Sequence, residues 1–164
     1  MNLSGVILAS MLLLPAAADG TTSTSREVNR FLATRWIVVH SLARVDPTVV
    51  AELKSRLGQD DRLADTGEPF ESTDIVSGRP SRRFLMGGHA DTRWFVLYER
   101  GGLGHHLVLV VFDTAVKPPT CVLLARGAAG VHDDIRGWAV DLPTLQTALQ
   151  KARIKPDEQN AGYF

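Results

Sequence analysis

The sequence predicts an α+β domain: an antiparallel meander of about five to six strands with two N-terminal helices and one C-terminal helix. Three observations lead there. Apolar residues recur every three to four positions before residue 60 and every second position after residue 70. Short Gly/Pro-rich segments (SGRP, GGHAD, GGLG and TAVKPP) separate the later apolar runs, and connections that short force neighbouring strands to be antiparallel. Asp-Pro pairings at Asp46–Pro47 and Asp141–Leu142–Pro143 mark helix starts.

The chain opens on VILASMLLL between Val6 and Leu14, followed by Pro15 and the small residues Ala16, Ala17 and Ala18. This is the layout of a signal peptide over residues 1–18, with cleavage before Asp19. A run this short falls below the roughly 20 apolar residues that span a bilayer, and no cysteine adjoins it to carry a lipid. The expectation is a periplasmic or secreted protein with no stable membrane anchor after cleavage. Residues 19–25 (DGTTSTS) lack any apolar pattern and read as a flexible lead-in. A single domain over residues 26–155 and a polar C-terminal tail over 156–164 complete the chain.

For the first helix, Ser25 is the expected cap and Glu27 suits the positive helix start. Val28, Phe31, Leu32, Arg35, Trp36, Val39 and Leu42 keep helical spacing, which predicts a helix running on to Leu42. The β-branched block between Trp36 and His40 also fits a strand; the spacing favours the helix. For the second, Asp46 caps, Pro47 fills the first turn, Val49, Val50, Leu53 and Leu57 form the apolar stripe, and Gly58 ends it. Residues 59–68 are charged and aperiodic, a surface connection.

Strands are expected at Phe70–Val76, Arg82–Gly87, Arg93–Arg100, His105–Asp113 and Cys121–Arg126, with a further one at Ile135–Val140. Asp141 then caps a helix whose apolar side carries Leu142, Leu145, Leu149 and Ala152. Taking GGLG as a four-residue loop places Arg100 opposite His105, Glu99 opposite His106, Tyr98 opposite Leu107 and Arg93 opposite Phe112. Phe95, Leu97, Val108, Val110 and Phe112 then share one face, and Trp94, Val96, Tyr98, Leu107, Leu109 and Val111 the other. Neither face alternates with polar residues, so both must be covered. The three helices cover both, or they cover one and leave the other to a partner.

Composition narrows the function. Eighteen basic and eighteen acidic residues cancel, which gives no global field for nucleic acid. Cys121 is the sole cysteine, so no internal disulfide forms, and its apolar run TCVLLAR reads as core. No HExxH, paired CxxC, G-x-S-x-G or Walker-type loop is present. No cofactor or metal is expected; the densest candidate ligand group is His132, Asp133 and Asp134, in a loop that reads more readily as a solvated turn. His89 and Asp91 read the same way.

The strongest constellation is the end of the central hairpin. Glu99 and His106, sharing a face in the expected register, form a candidate acid–base pair, and Tyr98, Arg100 and His105 are candidate binding residues beside them. The bland reading of Glu99 and His106 is a cross-strand charge pair. Arg82 and Arg83 point to opposite faces and are candidate anion-binding residues or acid partners for Glu71 or Asp74. Arg79 tips the SGRP turn, a shape that protein inhibitors present. Three functions fit these features: an exported non-enzymatic module that binds another envelope protein, as immunity or inhibitor proteins do; a small hydrolase or ligand-binding domain working at the hairpin end; or a structural envelope component that is a homodimer.

Overall fold

The computed structural model describes residues 20–58, 62–73, 78–102, 105–128 and 141–157. The elements are α1 (Gly20–Ala33), β1 (Ile37–Val39), a short 3-10 helix (Leu42–Arg44), α2 (Pro47–Arg56), β2 (Arg82–Ala90), β3 (Arg93–Arg100), β4 (His106–Asp113), β5 (Thr120–Ala128), α3 (Leu142–Gln150) and β6 (Lys155–Pro156). The strands form one antiparallel sheet in chain order, β1 to β6, the meander expected from the short turns.

α1 begins at Gly20, so residues 20–25, expected as a flexible lead-in, are its first turns. It ends at Ala33 instead of running to Leu42. The last turn's carbonyls are taken by side chains that follow: the Trp36 indole Nε1 donates to Phe31 O at 3.0 Å and Thr34 Oγ1 to Arg30 O at 2.6 Å. With the helix closed there, the β-branched residues Ile37–Val39 pair as β1 with Gly87–His89 of β2. The strand preference of that block thus overrides the helical spacing.

α2 and α3 match their sequence signals. Asp46 caps α2 through Thr48 N (2.7 Å), with Pro47 in the first turn, and Asp141 caps α3 through Thr144 N (2.8 Å). α3 stops at Gln150, which leaves Ala152 beyond it at φ 52.

Phe70–Val76 was expected as a strand, and its described part, residues 70–73, is not one. The outer edge of β2 is already occupied. β1 covers Gly87–His89, and Ala64 bridges Arg83 by donating to Arg82 O at 3.0 Å and accepting from Phe84 N at 2.9 Å. The expected strand at Ile135–Val140 lies outside the described residues.

Two buried clusters lie on opposite sides of the sheet. α1 and α3 close one side, where Phe31, Trp36, Leu145, Ala148 and Leu149 meet Phe95, Leu97, Leu107, Leu109 and Val111. α2 closes the other, where Val45, Val49, Leu53 and Leu57 meet Phe84, Val96, Tyr98, Val108, Val110 and Phe112. Both faces are therefore covered, as the unbroken apolar strands require, and the chain's own helices do the covering. On the α1 side, Phe95 packs edge-on to Phe31 and Trp36, with centroids at 5.4 and 5.1 Å. Gly88 makes room for that ring, since a Cβ there would lie 2.4 Å from Phe95 Cε1.

The register of the central hairpin differs from the expected one by a residue. Arg100 pairs with His106, Glu99 with Leu107, Tyr98 with Val108 and Arg93 with Asp113. Residues 101–105 make the connection, one more than GGLG provides, and β4 starts at His106. A one-residue slip flips every side chain of one strand relative to the other, so Leu107, Leu109 and Val111 lie with Phe95 and Leu97.

Candidate functional site

The end of the sheet where β3 meets β4 gathers the ionisable residues that the sequence singles out, sorted onto two faces by strand parity. On the α1/α3 side, Arg83 and Glu99 are cross-strand partners and are 3% and 1% exposed. Arg83 Nε donates to Glu99 Oε1 at 2.6 Å, and its Nη2 lies 2.5 Å from the same oxygen. The second carboxylate oxygen, Oε2, is 2.7 Å from His105 Nε2, and the His105 side chain is 32% exposed. The Arg83 guanidinium lies over the Phe70 ring at 4.1 Å, and the Phe70 and His105 rings stand 6.0 Å apart.

The residues around Phe70 reach this position because the backbone closes on it. Glu71 N donates to Pro80 O at 2.8 Å and Gly101 N to Ser81 O at 2.9 Å. The approach is so close that a Cβ on Gly101 would fall 1.8 Å from Glu71 O; glycine is required there for contact rather than for turn geometry.

The expected pair of Glu99 with His106 does not form. In the observed register His106 faces Arg100, and His105, the residue before β4, reaches Glu99 in its place. A buried carboxylate, a guanidinium and a part-exposed imidazole can hold charge and orient the imidazole. Glu99 has both oxygens engaged, which makes it a fixed counterion more than a free base. His105 Nδ1 makes no hydrogen bond among the described residues.

The α2 side of the same sheet end is different in chemistry. Tyr98 is fully buried, and its hydroxyl has no hydrogen-bond partner among the described residues. Burial pushes the phenol up to about 12 from 10.0, against the opposing pull of the Arg82, Arg126 and Arg100 charges. Because the folded value lies above the unfolded one, the stabilisation is whole below pH 10 and is lost as pH rises from 10 through 12. Denaturant unfolding across that window should show a loss of about 2–3 kcal/mol that the Tyr98→Phe variant lacks. An equal loss in the variant would contradict the assignment.

Arg82 is 5% exposed and donates from Nη2 to Leu57 O at the end of α2, at 3.2 Å. Arg126 of β5 lies 3.6 Å from Asp157, while Arg100 and His106 are exposed. Arg126 was not among the sequence candidates, although its spacing from Leu124 places it on this face. Arg79 is exposed beside Gly78, and Arg62 reaches the carbonyls of both residues at 3.5 and 2.7 Å respectively. His89 stacks on Trp94 at 4.8 Å. Asp74, His132, Asp133 and Asp134 lie outside the described residues. Among the described residues no group of His, Cys, Asp or Glu is arranged to hold a metal, and no helix is long and apolar enough to cross a membrane. Cys121 is half-buried, and burial pushes its thiol up, which disfavours the nucleophilic form.

Sequence reasoning also missed the ground on either side of α2. An open groove of about 570 Å³ runs between the 3-10 helix, α2 and the segment at Leu63–Glu68, with Val45, Val50, Ala51 and Leu63 in its wall and Lys54 and Glu68 at its rim. Asp65 fixes one wall by accepting from Ser41 Oγ, Leu42 N and Thr66 N, each at 2.8 Å. Partial burial raises its carboxyl, yet these hydrogen bonds outweigh it and hold the group below its usual range. A second concavity of about 340 Å³ lies on the other flank, between α2 and Lys117–Pro119. Ala51 borders both, and Val116, beside the second, is 55% exposed. No signal of period or motif announces such grooves, because they arise from how α2 sits against two loops.

Comparison with protein-family models, with curated proteins and with solved structures gave no match.

Proposed function

We propose that the chain is exported and that its mature domain works by binding another protein of the envelope, in the manner of an immunity or inhibitor module. The leader over residues 1–18 supports export. The observation that carries the binding reading is the pair of open, largely apolar concavities flanking α2, with the exposed Ala51 between them. Apolar floors with a charged rim are the composition of a protein-recognition surface. The surface argued for is thus the outer side of α2 and not a sheet face, since both sheet faces are closed by helices.

The test joins both halves of the reading. The protein recovered from the periplasmic fraction should begin at Asp19 and co-purify with a partner, and Ala51→Arg should abolish co-purification with the melting temperature within about 2 °C of the parent. Ala51 is exposed on α2, so the arginine blocks the grooves at little cost to folding. A partner retained by Ala51→Arg, or none recovered at all, removes the proposal.

A second reading, a small hydrolase or ligand-binding domain, is favoured by the 2.7 Å contact between Glu99 and a part-exposed His105. It requires His105 and not His106 as the acting imidazole.

A further inference from the structure

The contact between Glu99 and His105 fixes the chemistry of the imidazole ring. Glu99 Oε1 takes its two donors from Arg83, at 2.6 and 2.5 Å, and Oε2 lies 2.7 Å from His105 Nε2. A carboxylate offers acceptors only, so the hydrogen in the second contact is carried by the ring. The neutral imidazole is therefore held as its Nε2–H tautomer, with its lone pair at Nδ1. Glu99 is 1% exposed and has both oxygens engaged, which keeps it from turning away, whereas the His105 side chain is 32% exposed and within reach of solutes. A solute that reaches the ring finds its lone pair at Nδ1.

The other described histidines lack this support. His40 and His106 are exposed and His89 stacks on Trp94, and the side chains of these three make no hydrogen bond or ion pair among the described residues. When an imidazole nitrogen attacks an electrophilic carbon, the ring becomes cationic. At His105 that charge develops 2.7 Å from a carboxylate oxygen already in place, and a preorganised counter-charge stabilises such a step more than water that must first reorient. Arg83 draws on the other oxygen, so Oε2 stays committed to the ring. The half-buried Phe70 ring stands 6.0 Å from the imidazole and sets an apolar surface beside it.

We propose that His105 Nδ1 is a nucleophile that accepts an acyl group from an activated aryl ester, with Glu99 as its positioning residue. This rests on the reading of the chain as a small hydrolase. The Nδ1 lone pair bonds to the ester carbonyl carbon, the bond from that carbon to the aryl oxygen breaks, and the aryl group departs as a phenolate with the bonding pair. The acyl-imidazolium so formed keeps its Nε2 proton against Glu99 Oε2. Water then adds to the acyl carbon, the C–N bond breaks with its electron pair returning to Nδ1, and a carboxylic acid leaves as one proton passes to solvent.

The test exposes the purified full-length protein to p-nitrophenyl acetate. Long-range proton–nitrogen NMR spectra of the unaltered protein should show His105 as the Nε2–H tautomer. Peptide mapping after a brief exposure and an acid quench should find acetyl on His105 about ten-fold or more ahead of His40 and His106. His105→Gln, which keeps a donor for Glu99 Oε2, should abolish the fast release of p-nitrophenolate. Glu99→Gln, measured where circular dichroism shows it folded, should acetylate His105 about ten-fold more slowly. Should that variant not fold, the tautomer and the ranking of the histidines decide the matter on the unaltered protein. A Nδ1–H tautomer, or acetylation of His105 no faster than that of His40, overturns the proposal. Acetyl that loads quickly onto His105 and is not then released as acetate upholds the nucleophile and removes the hydrolase reading alone.

Discussion

Exchanging Glu99 for Gln should destabilise the protein by about 3–5 kcal/mol, the usual cost of stripping one partner from a buried ion pair. For a chain of this length that corresponds to a fall of roughly 10 °C in melting temperature. Arg83 is 3% exposed and donates to Glu99 through Nε; a neutral amide takes away the carboxylate charge that faces this enclosed guanidinium beside the Phe70 ring. The double variant Arg83→Met, Glu99→Leu should recover most of the loss, because two apolar side chains of similar volume remove both desolvation costs together. His105, a third exposed, can turn to water when its partner goes. Chemical denaturation of the single and double variants decides the matter. A single variant within about 1 kcal/mol of the parent would show that the pair is solvated in practice, and the account of this site would fail with it.

The Phe95→Ala variant should cost a comparable amount, about 3–5 kcal/mol, for a different reason. Phe95 is fully buried, and its ring is the common contact of Phe31 and Trp36, at 5.4 and 5.1 Å. Removing it takes away the transfer energy of an aromatic side chain and leaves a void between α1 and the sheet that Gly88, having no side chain, does nothing to fill. Trp36 also closes the end of α1 through its indole, so loosening the ring cluster should alter the near-ultraviolet circular dichroism as well as stability. A loss below about 1 kcal/mol with an unchanged spectrum would mean that these rings repack freely.

The strands of the central hairpin were legible because apolar period and turn composition agree there: β3 occupies Arg93–Arg100, the residues expected from the sequence. The register was not, and the failure is instructive. Loop length set it, GGLG counts four, and the connection uses His105 as well. That single residue turns Glu99 from an expected partner of His106 into the partner of His105, so two strands placed to within one residue still yielded a wrong pair of side chains. The Trp36–His40 block failed for another reason. Its helical spacing is real, but Trp36 and Thr34 consume the carbonyls that a longer helix would need, a tertiary event with no trace in local propensity. Phe70 was read as a strand residue when its place is a ring beneath a guanidinium; the edge it would have joined was already taken by β1 and Ala64. Both caps at Asp46 and Asp141 were legible because capping is decided within four residues.

Among the described residues, the two outermost strands carry a consequence for the fate of the molecule at high protein concentration. β1 is three residues long and β6 two, the latter ending in Pro156, which has no N–H to offer. Between them lie WFVLY and LVLVVF, segments that would template fibrils if a neighbouring chain could add to them. Stubby borders of this kind give an incoming chain too few rungs to grip, and the most adhesive segments lie a strand further in, paired along their length with β2 and β5. Lengthening either border would be the change to fear for solubility, more than any substitution in the interior.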